Sequence, residues 1–111
     1  MSDLPTGLWV ESHLAQCQSN CLPVYVVNKG GASNCSVILK LNGLGNGCKI
    51  LSQIRGMDGE LGWVNALGKE DIAESEIDAY IRRSIDRDPD VWVVEIEDKE
   101  MKNPFGGKVI G

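Results

Sequence analysis

The residues whose types and spacing come nearest to a chemical site are three alternating aspartates. Asp86, Asp88 and Asp90, with Glu97 further on, match much of a calcium-binding loop. The sixth position of such a loop turns sharply and favours Gly, but β-branched Val91 occupies it. The segment after Asp90 is predicted to be an extended strand, which places Glu97 on the order of 20 Å from Asp90. The sequence therefore predicts a helix exit and a turn whose aspartates accept backbone N–H groups, rather than a metal site.

Four cysteines form the second candidate group. Cys17 and Cys21 are spaced like two metal ligands on one helical face, and a four-thiolate site would also need Cys35 and Cys48. All four continue apolar faces of predicted elements, and free Cys is among the most buried residue types. The prediction is therefore that reduced thiols pack in the core, with metal binding and redox chemistry as the alternatives. No cofactor is predicted.

One histidine and one Gly-rich turn are the remaining candidates for a catalytic or cofactor-binding role. His13 falls off the apolar stripe of its helix and is predicted to be solvated, and no nucleophile is placed beside it for a hydrolase triad. The Gly-rich turn at 43–47 precedes a predicted strand, whereas a dinucleotide-binding loop precedes a helix. It is therefore predicted to close a hairpin. No catalytic residue emerges, which favours a protein that is not an enzyme.

Two tryptophans are candidates for the lining of a binding groove. Trp9 lies one position off the apolar stripe of the first helix, and Trp63 lies in a short predicted strand next to Gly62. Exposed Trp is enriched at binding hot spots. We therefore consider a groove between sheet and helix, lined by either tryptophan and reached by Arg55 or by the carboxylates of the last predicted strand. Core or boundary packing is the preferred interpretation for both tryptophans, and groove lining is the alternative.

Acidic residues are concentrated in residues 70–100, which carry twelve acidic and four basic side chains in a chain of net charge −5. Such a block repels phosphate backbones, so nucleic acid is not predicted as a partner. The block is predicted to be either a solubilising face or a docking face for a basic partner. Its candidate contacts are Arg87, Glu95 and Glu97.

Hydrophobic periodicity predicts the element order α-β-β-β-β-α-β. A first helix begins near Leu8, and a second follows a capping-box pattern at Ser75–Asp78 and ends by Arg87, before Asp88-Pro89. The strands are predicted at 22–27, 35–42, 48–55, 61–66 and 91–97. We expect an α+β fold with a single antiparallel β-sheet of about five strands and two α-helices, both packed on one face.

Length and composition bound the class of protein. The 111 residues, 42% apolar and 24% charged, suit a single domain over residues 1–111. Residues 1–7 and 101–111 are predicted to be weakly ordered tails. No apolar run approaches the ~20 residues that span a bilayer, and the first residues lack the features of a secretory signal. A cytoplasmic protein without membrane association is expected, in agreement with reduced cysteines.

Two C-terminal segments resemble a known family. Residues 78–83 and 87–98 are similar to the C-terminal signature of a family of small alphaproteobacterial proteins, and residues 8–10 and 39–42 are weaker matches. That family is a domain of unknown function. The resemblance implies a bacterial, cytosolic, stand-alone domain, and it brings no activity, cofactor or catalytic residue.

The sequence thus leaves the function unknown and two classes open. The first is a non-enzymatic protein-interaction or regulatory module that uses the acidic face of residues 70–100, with a protein partner or as a homodimer through a sheet edge. The second is a small-molecule-binding protein or modest enzyme with a groove between sheet and helix. A flat acidic face beside exposed apolar residues favours the first class, and a pocket with convergent polar groups favours the second.

Overall fold

The computed structural model describes residues 5–55, 61–67 and 72–110, which form two helices and a six-stranded sheet. In chain order the elements are α1 (Thr6–Ser19), β1 (Val24–Asn28), β2 (Val37–Asn42), β3 (Cys48–Arg55), β4 (Leu61–Asn65), α2 (Glu74–Arg87), β5 (Trp92–Glu97) and β6 (Lys108–Ile110). The predicted α+β class is confirmed, and the five predicted strands correspond to β1–β5. Strand β6 was not predicted, and it lies within the segment 101–111. No helix in this part of the chain is long and apolar enough to cross a bilayer.

The sheet is mixed, so the prediction of a purely antiparallel sheet is wrong. Its strand order is β1-β5-β2-β3-β4-β6. The predicted antiparallel meander is confirmed for β2-β3-β4, but β5 pairs parallel to β2, and β6 pairs parallel to β4. The reason lies in β5, where Trp92, Val93 and Val94 are all buried. Such a continuous apolar run is typical of a central strand covered on both faces, and helix α2 provides the crossover that a parallel pairing needs.

The two helices lie on opposite faces of the sheet, which corrects the prediction that both pack on one face. On the first face, Val10 of α1 packs with Leu39, Trp92 and other alternate sheet residues. On the second face, Ile77 and Ile81 of α2 pack with the intervening sheet residues. The α1 face of β2 and β5 is entirely apolar, and the opposite face carries buried Ile38 and Val93 beside polar residues. One helix cannot cover both faces, so each face has its own helix.

The structure confirms the predicted C-terminal end of α2 but not the predicted capping at its N-terminal end. Ala73 is the N-cap and makes no side-chain cap hydrogen bond, so the predicted capping box at Ser75–Asp78 is wrong. The helix ends at Arg87, as predicted, and Asp88 is extended ahead of Pro89. The Asp88 Oδ1 accepts the backbone N–H of Asp90 at 3.2 Å. The predicted helix exit with an aspartate accepting a backbone N–H is thus confirmed.

Candidate functional site

The structure divides the six predicted contact residues between different places. Trp9 and Arg55 line one groove on the α1 face of the sheet. Glu95 and Glu97 lie on β5 and alternate with residues that pack against α1, so they belong to the α2 face. Arg87 is exposed at the end of α2. The structure therefore does not bring the predicted residues together in one site; it supplies two separate surfaces.

Trp63 lines neither surface, because its side chain is only 1% exposed. Its Nε1 donates to the carbonyl oxygen of Gly106 at 2.6 Å, and Phe105 packs against it edge to face, with ring centroids 6.4 Å apart. His13 stacks on Phe105 at 4.9 Å and is half-buried, so the predicted solvated position of this histidine is wrong. Neither contact was predicted, because residues 101–111, which contain Phe105, were expected to form a weakly ordered tail.

The groove has a volume of about 620 Å³ and lies between the start of α1, the loop at 33–36, the end of β3 and the start of β4. Arg55 is the only charged side chain among the described residues that line it. Gln53 lies two residues before Arg55, hence on the same face of β3. The Gln53 Nε2 is buried and has no hydrogen-bond acceptor in the described part of the chain. The groove therefore has one charged side chain in its described lining, and the buried Gln53 nitrogen is not accessible from it.

Lys40 is the centre of the main polar cluster on the α2 face. This side chain is 4% exposed, and its Nζ donates to Glu74 Oε2 at 2.7 Å and to Asp78 Oδ1 at 2.8 Å. Glu95 Oε1 lies 3.7 Å from the same ammonium, and the other oxygen of Glu95 accepts from Asn42 Nδ2 at 3.0 Å. The acidic block is therefore partly internal, because three of its carboxylates neutralise a buried lysine.

The charge state of Lys40 excludes it as a nucleophile or general base at neutral pH. Burial by itself lowers the pKa of Lys40, but the hydrogen bonds to Asp78 and Glu74 outweigh it and hold the pKa above its ordinary value. A catalytic lysine amine needs a lowered pKa. The ion pairs instead stabilise the fold at neutral pH, and on the alkaline side this contribution is lost as the pH rises through the raised pKa of Lys40.

The cysteines occupy four different environments. Cys17 and Cys48 are buried, as predicted, and burial raises the pKa of both thiols. Cys21 is exposed, because α1 ends at Ser19 and Cys21 adopts a left-handed backbone with φ 59°. Cys35 is half-buried in the groove wall, and its Sγ donates to the Ser33 carbonyl at 3.1 Å. Among the described residues no three His, Cys, Asp or Glu side chains converge as metal ligands.

Strand β1 is an edge strand with exposed apolar side chains. No strand of the described residues pairs with its outer side. Tyr25 is 51% exposed, and Val26 and Val27 are each 46% exposed. The Tyr25 hydroxyl donates to Glu97 Oε1 at 3.4 Å, and the negative charge of Glu97 raises the pKa of Tyr25. This edge therefore combines apolar surface with a neighbouring carboxylate.

The hydrogen-bond pattern shows which backbone groups of β1 point outward. Glu97 N–H donates to the carbonyl of Pro23 at 3.1 Å, and Val24 pairs with Ile96 in the register. Bonded and non-bonded pairs alternate along an antiparallel ladder. The amide and carbonyl groups of Val24 and Val26 therefore point away from β5, towards the outer edge.

Carboxylates flank this edge at both ends. At the start of β1, the bond to Pro23 places Glu97 and Asp98 beside the strand. At its end, Asn28 Nδ2 donates to the carbonyls of Pro89 at 3.2 Å and Val91 at 2.7 Å, next to exposed Asp88 and Asp90. The surface formed by β1 and these four carboxylates is called the β1 edge surface below.

Comparisons with known proteins place the chain among proteins of unknown function. Residues 4–106 match the family described as Protein of unknown function (DUF1491). A crystal structure of a DUF1491 family protein from Caulobacter crescentus is 30% identical, with a TM-score of 0.83, over 96% of this chain and 99% of that one. An NMR structure of a DUF1491 family protein from the same organism is 28% identical, with a TM-score of 0.84 and 100% of both chains covered.

A more distant solution structure, of a protein from A. tumefaciens, shares the fold at 16% identity. Its TM-score is 0.67, and 86% of each chain is covered. No curated protein matches the chain. The family and the source organisms of these structures agree with the resemblance to small alphaproteobacterial proteins that the C-terminal segments indicated.

Proposed function

The chain belongs to the DUF1491 family, and we propose that this member is a non-enzymatic interaction module that binds an extended, basic segment of a partner protein along the outer edge of β1. The proposal rests on β1, an edge strand whose outer side pairs with no strand of the described residues. An extended segment would pair with the outward amide and carbonyl groups of Val24 and Val26, as in β-strand addition. Its side chains would contact Tyr25, Val26 and Val27, which are exposed in the free chain.

The composition of β1 is unusual for a solvent-exposed edge strand. Proteins commonly protect edge strands with Lys, Pro, bulges or very short length. Strand β1 carries no charged residue over its five positions, and its register irregularity comes only at its end, between Val26 and Asn28. Pro23 lies before the strand and Lys29 after it, so neither blocks its centre. Pairing with another chain is the use that fits such an edge.

The negative charges around β1 favour a positively charged partner segment. Glu97, Asp98, Asp88 and Asp90 lie beside the two ends of β1, and the block that contains them has a net charge of −8, from twelve acidic and four basic residues. A partner segment with Lys or Arg at both ends would be attracted to this surface. A second copy of this chain would instead bring the same carboxylates towards one another, which disfavours a homodimer through β1.

The proposal is tested with a fluorescent peptide of alternating lysine and valine, about six residues long, the usual length of a strand. We expect saturable binding to the full chain by anisotropy, weakened by salt because the attraction is electrostatic. Val26→Lys should weaken binding at least about tenfold, since it places a positive charge on the edge. Leu8→Lys is the matched control, because it makes the same change at an exposed apolar residue of α1.

Three outcomes would overturn the proposal. The first is equal weakening by Val26→Lys and Leu8→Lys, and the second is equal affinity for a glutamate–valine peptide of the same length. The third is a dimer in light scattering that Val26→Lys converts to a monomer, because the edge would then serve self-association.

A further inference from the structure

We propose that the segment bound at β1 alternates apolar and cationic residues, and that an arginine of this segment stacks on the Tyr25 ring. The inference rests on the proposed strand addition and adds the partner's sequence pattern and the residue that recognises it. In this arrangement the partner's apolar side chains lie on the α1 face of the sheet, and its cations lie on the α2 face. Tyr25 is then the residue that selects arginine over lysine.

The two faces of β1 differ in charge. Val24 packs with the core on the α1 face, and Val26, two residues later, faces the same way. The helix on that face carries a single acidic residue, Glu11. Tyr25 lies on the opposite face, where its hydroxyl donates to Glu97. An added strand continues the same alternation, so its apolar residues would meet Val24 and Val26, and its cations would meet Glu97.

Glu97 is the carboxylate on the α2 face that can receive the cation. Its Oε1 accepts from the Tyr25 hydroxyl at 3.4 Å, and no ion pair within the described residues involves Glu97. Glu95, in contrast, lies 3.7 Å from the Lys40 ammonium and accepts from Asn42. The negative charge of Glu97, with a smaller contribution from Glu95, raises the pKa of Tyr25. The potential around the hydroxyl is therefore negative and attracts a cation to the ring.

The backbone pattern of β1 places one partner residue directly beside Tyr25. The backbone groups of Tyr25 face β5, whereas those of Val24 and Val26 point outward. In an antiparallel strand added outside β1, the residue opposite Tyr25 therefore belongs to a non-hydrogen-bonded pair, in which the Cα atoms are about 4.5 Å apart and the side chains are closest. The Tyr25 side chain is 51% exposed, so the ring has room for this neighbour.

Arginine suits this position better than lysine. A guanidinium is planar, stacks on an aromatic ring and presents parallel N–H donors to a carboxylate. A lysine ammonium is a compact, strongly hydrated charge that gains less from the ring. The Tyr25 ring and the Glu97 carboxylate are joined by a hydrogen bond, so one guanidinium can lie on the ring and approach the carboxylate.

The test compares an arginine–valine peptide with the lysine–valine peptide of the same length, each bound to the full chain and followed by anisotropy. Both peptides carry the same charge, so the ratio of their affinities measures the arginine contact rather than the general attraction. We expect the arginine peptide to bind about two- to fivefold more tightly. A peptide with the same lysines and valines in two separate blocks should bind at least about fivefold more weakly than the alternating one, because its cations fall on both faces.

Variants of Tyr25 separate the selection of arginine from strand pairing. Tyr25→Leu keeps an apolar side chain on β1, so both peptides should still bind, but the ratio of their affinities should fall to about one. Tyr25→Phe keeps the ring and loses the bond to Glu97, so the ratio should stay above one. Val27→Leu, at another exposed apolar residue of β1, is the matched control and should leave the ratio unchanged.

Three outcomes would overturn the inference: equal affinity of the arginine and lysine peptides, an arginine preference that survives Tyr25→Leu, or equal binding of the alternating and blocked peptides. If both alternating peptides bind and protect the Val24 and Val26 amides from hydrogen exchange, strand addition stands even when the arginine preference is absent. If neither peptide binds, the proposed function and this inference fail together.

Discussion

At the scale of single residues, Lys40 explains why part of the acidic block is not available to a partner. The alternation of β2 places Lys40 on the face opposite Leu39 and Leu41. A sheet open to water on that face would leave the lysine solvated. Helix α2 covers the face instead, and its first turns bring Glu74 and Asp78 onto the ammonium.

Removing the two carboxylates should cost more than removing the lysine. The lysine is 4% exposed, whereas the side chains of Glu74 and Asp78 are 53% and 44% exposed. After the double change Glu74→Gln and Asp78→Asn, the buried cation keeps Glu95 alone of its three described carboxylate partners. After Lys40→Met, the carboxylates of Glu74 and Asp78 lose their partner but remain hydrated, because both side chains are about half exposed. We expect the double change to lower the free energy of unfolding by about 2 kcal/mol and Lys40→Met by less than about 1 kcal/mol.

Urea unfolding followed by circular dichroism measures this difference. Glu11→Gln, on the exposed side of α1, is the control for loss of a surface carboxylate and should change stability little. A larger loss for Lys40→Met than for the double change would show that the lysine, and not its partners, carries the favourable energy.

At the scale of elements, the turn between β2 and β3 departs from the local rules. Its two Asn-Gly pairs predicted a hairpin, and β2 and β3 do pair antiparallel. The positive φ angles, however, fall on Leu44 at 54°, Gly45 at 102° and Gly47 at 100°, not on either asparagine. Asn42 Oδ1 accepts the Leu44 N–H at 2.9 Å, which fixes this conformation.

Leu44→Asn should therefore stabilise the protein. A left-handed conformation costs a residue such as Leu about 1–2 kcal/mol, and Asn tolerates it better. The Leu44 side chain is half exposed, so little apolar burial is lost. We expect a gain of about 0.5–1 kcal/mol in the free energy of unfolding, seen as a higher melting temperature.

Gly45→Ala is the matched control for this turn. A Cβ at Gly45 would meet no atom within 4 Å, so only the backbone conformation opposes it. It should lower the melting temperature. If Leu44→Asn lowers the melting temperature as well, the left-handed backbone at Leu44 does not limit the stability of the protein.

The local elements were predictable from the sequence, and their assembly was not. Periodicity located five strands and the end of α2 because each depends on neighbouring residues. The insertion of β5 between β1 and β2 depends on long-range pairing, which no local pattern encodes. The burial of Lys40 followed from that assembly, so it was not predicted, whereas the burial of Trp63 agrees with the core packing considered for it.

At the scale of the whole molecule, the sheet separates two surfaces of different chemistry. The groove on the α1 face has the Trp9 ring and the positive Arg55 in its lining. The β1 edge surface offers backbone groups, apolar side chains and carboxylates. Of the six contact residues predicted from sequence, Trp9 and Arg55 share the groove, and Glu97 lies at the edge surface. Glu95 instead belongs with Lys40, because the sequence pattern of a solvated strand face is the same as that of a face covered by a helix.

Strand addition at β1 can be observed at single residues by amide hydrogen exchange. In the free chain the outward amides of Val24 and Val26 should exchange faster than the Tyr25 amide, which faces β5. Saturating lysine–valine peptide should slow Val24 and Val26 and leave residues 33–36 unchanged. Unchanged exchange at Val24 and Val26 in the saturated complex would rule out strand addition at β1.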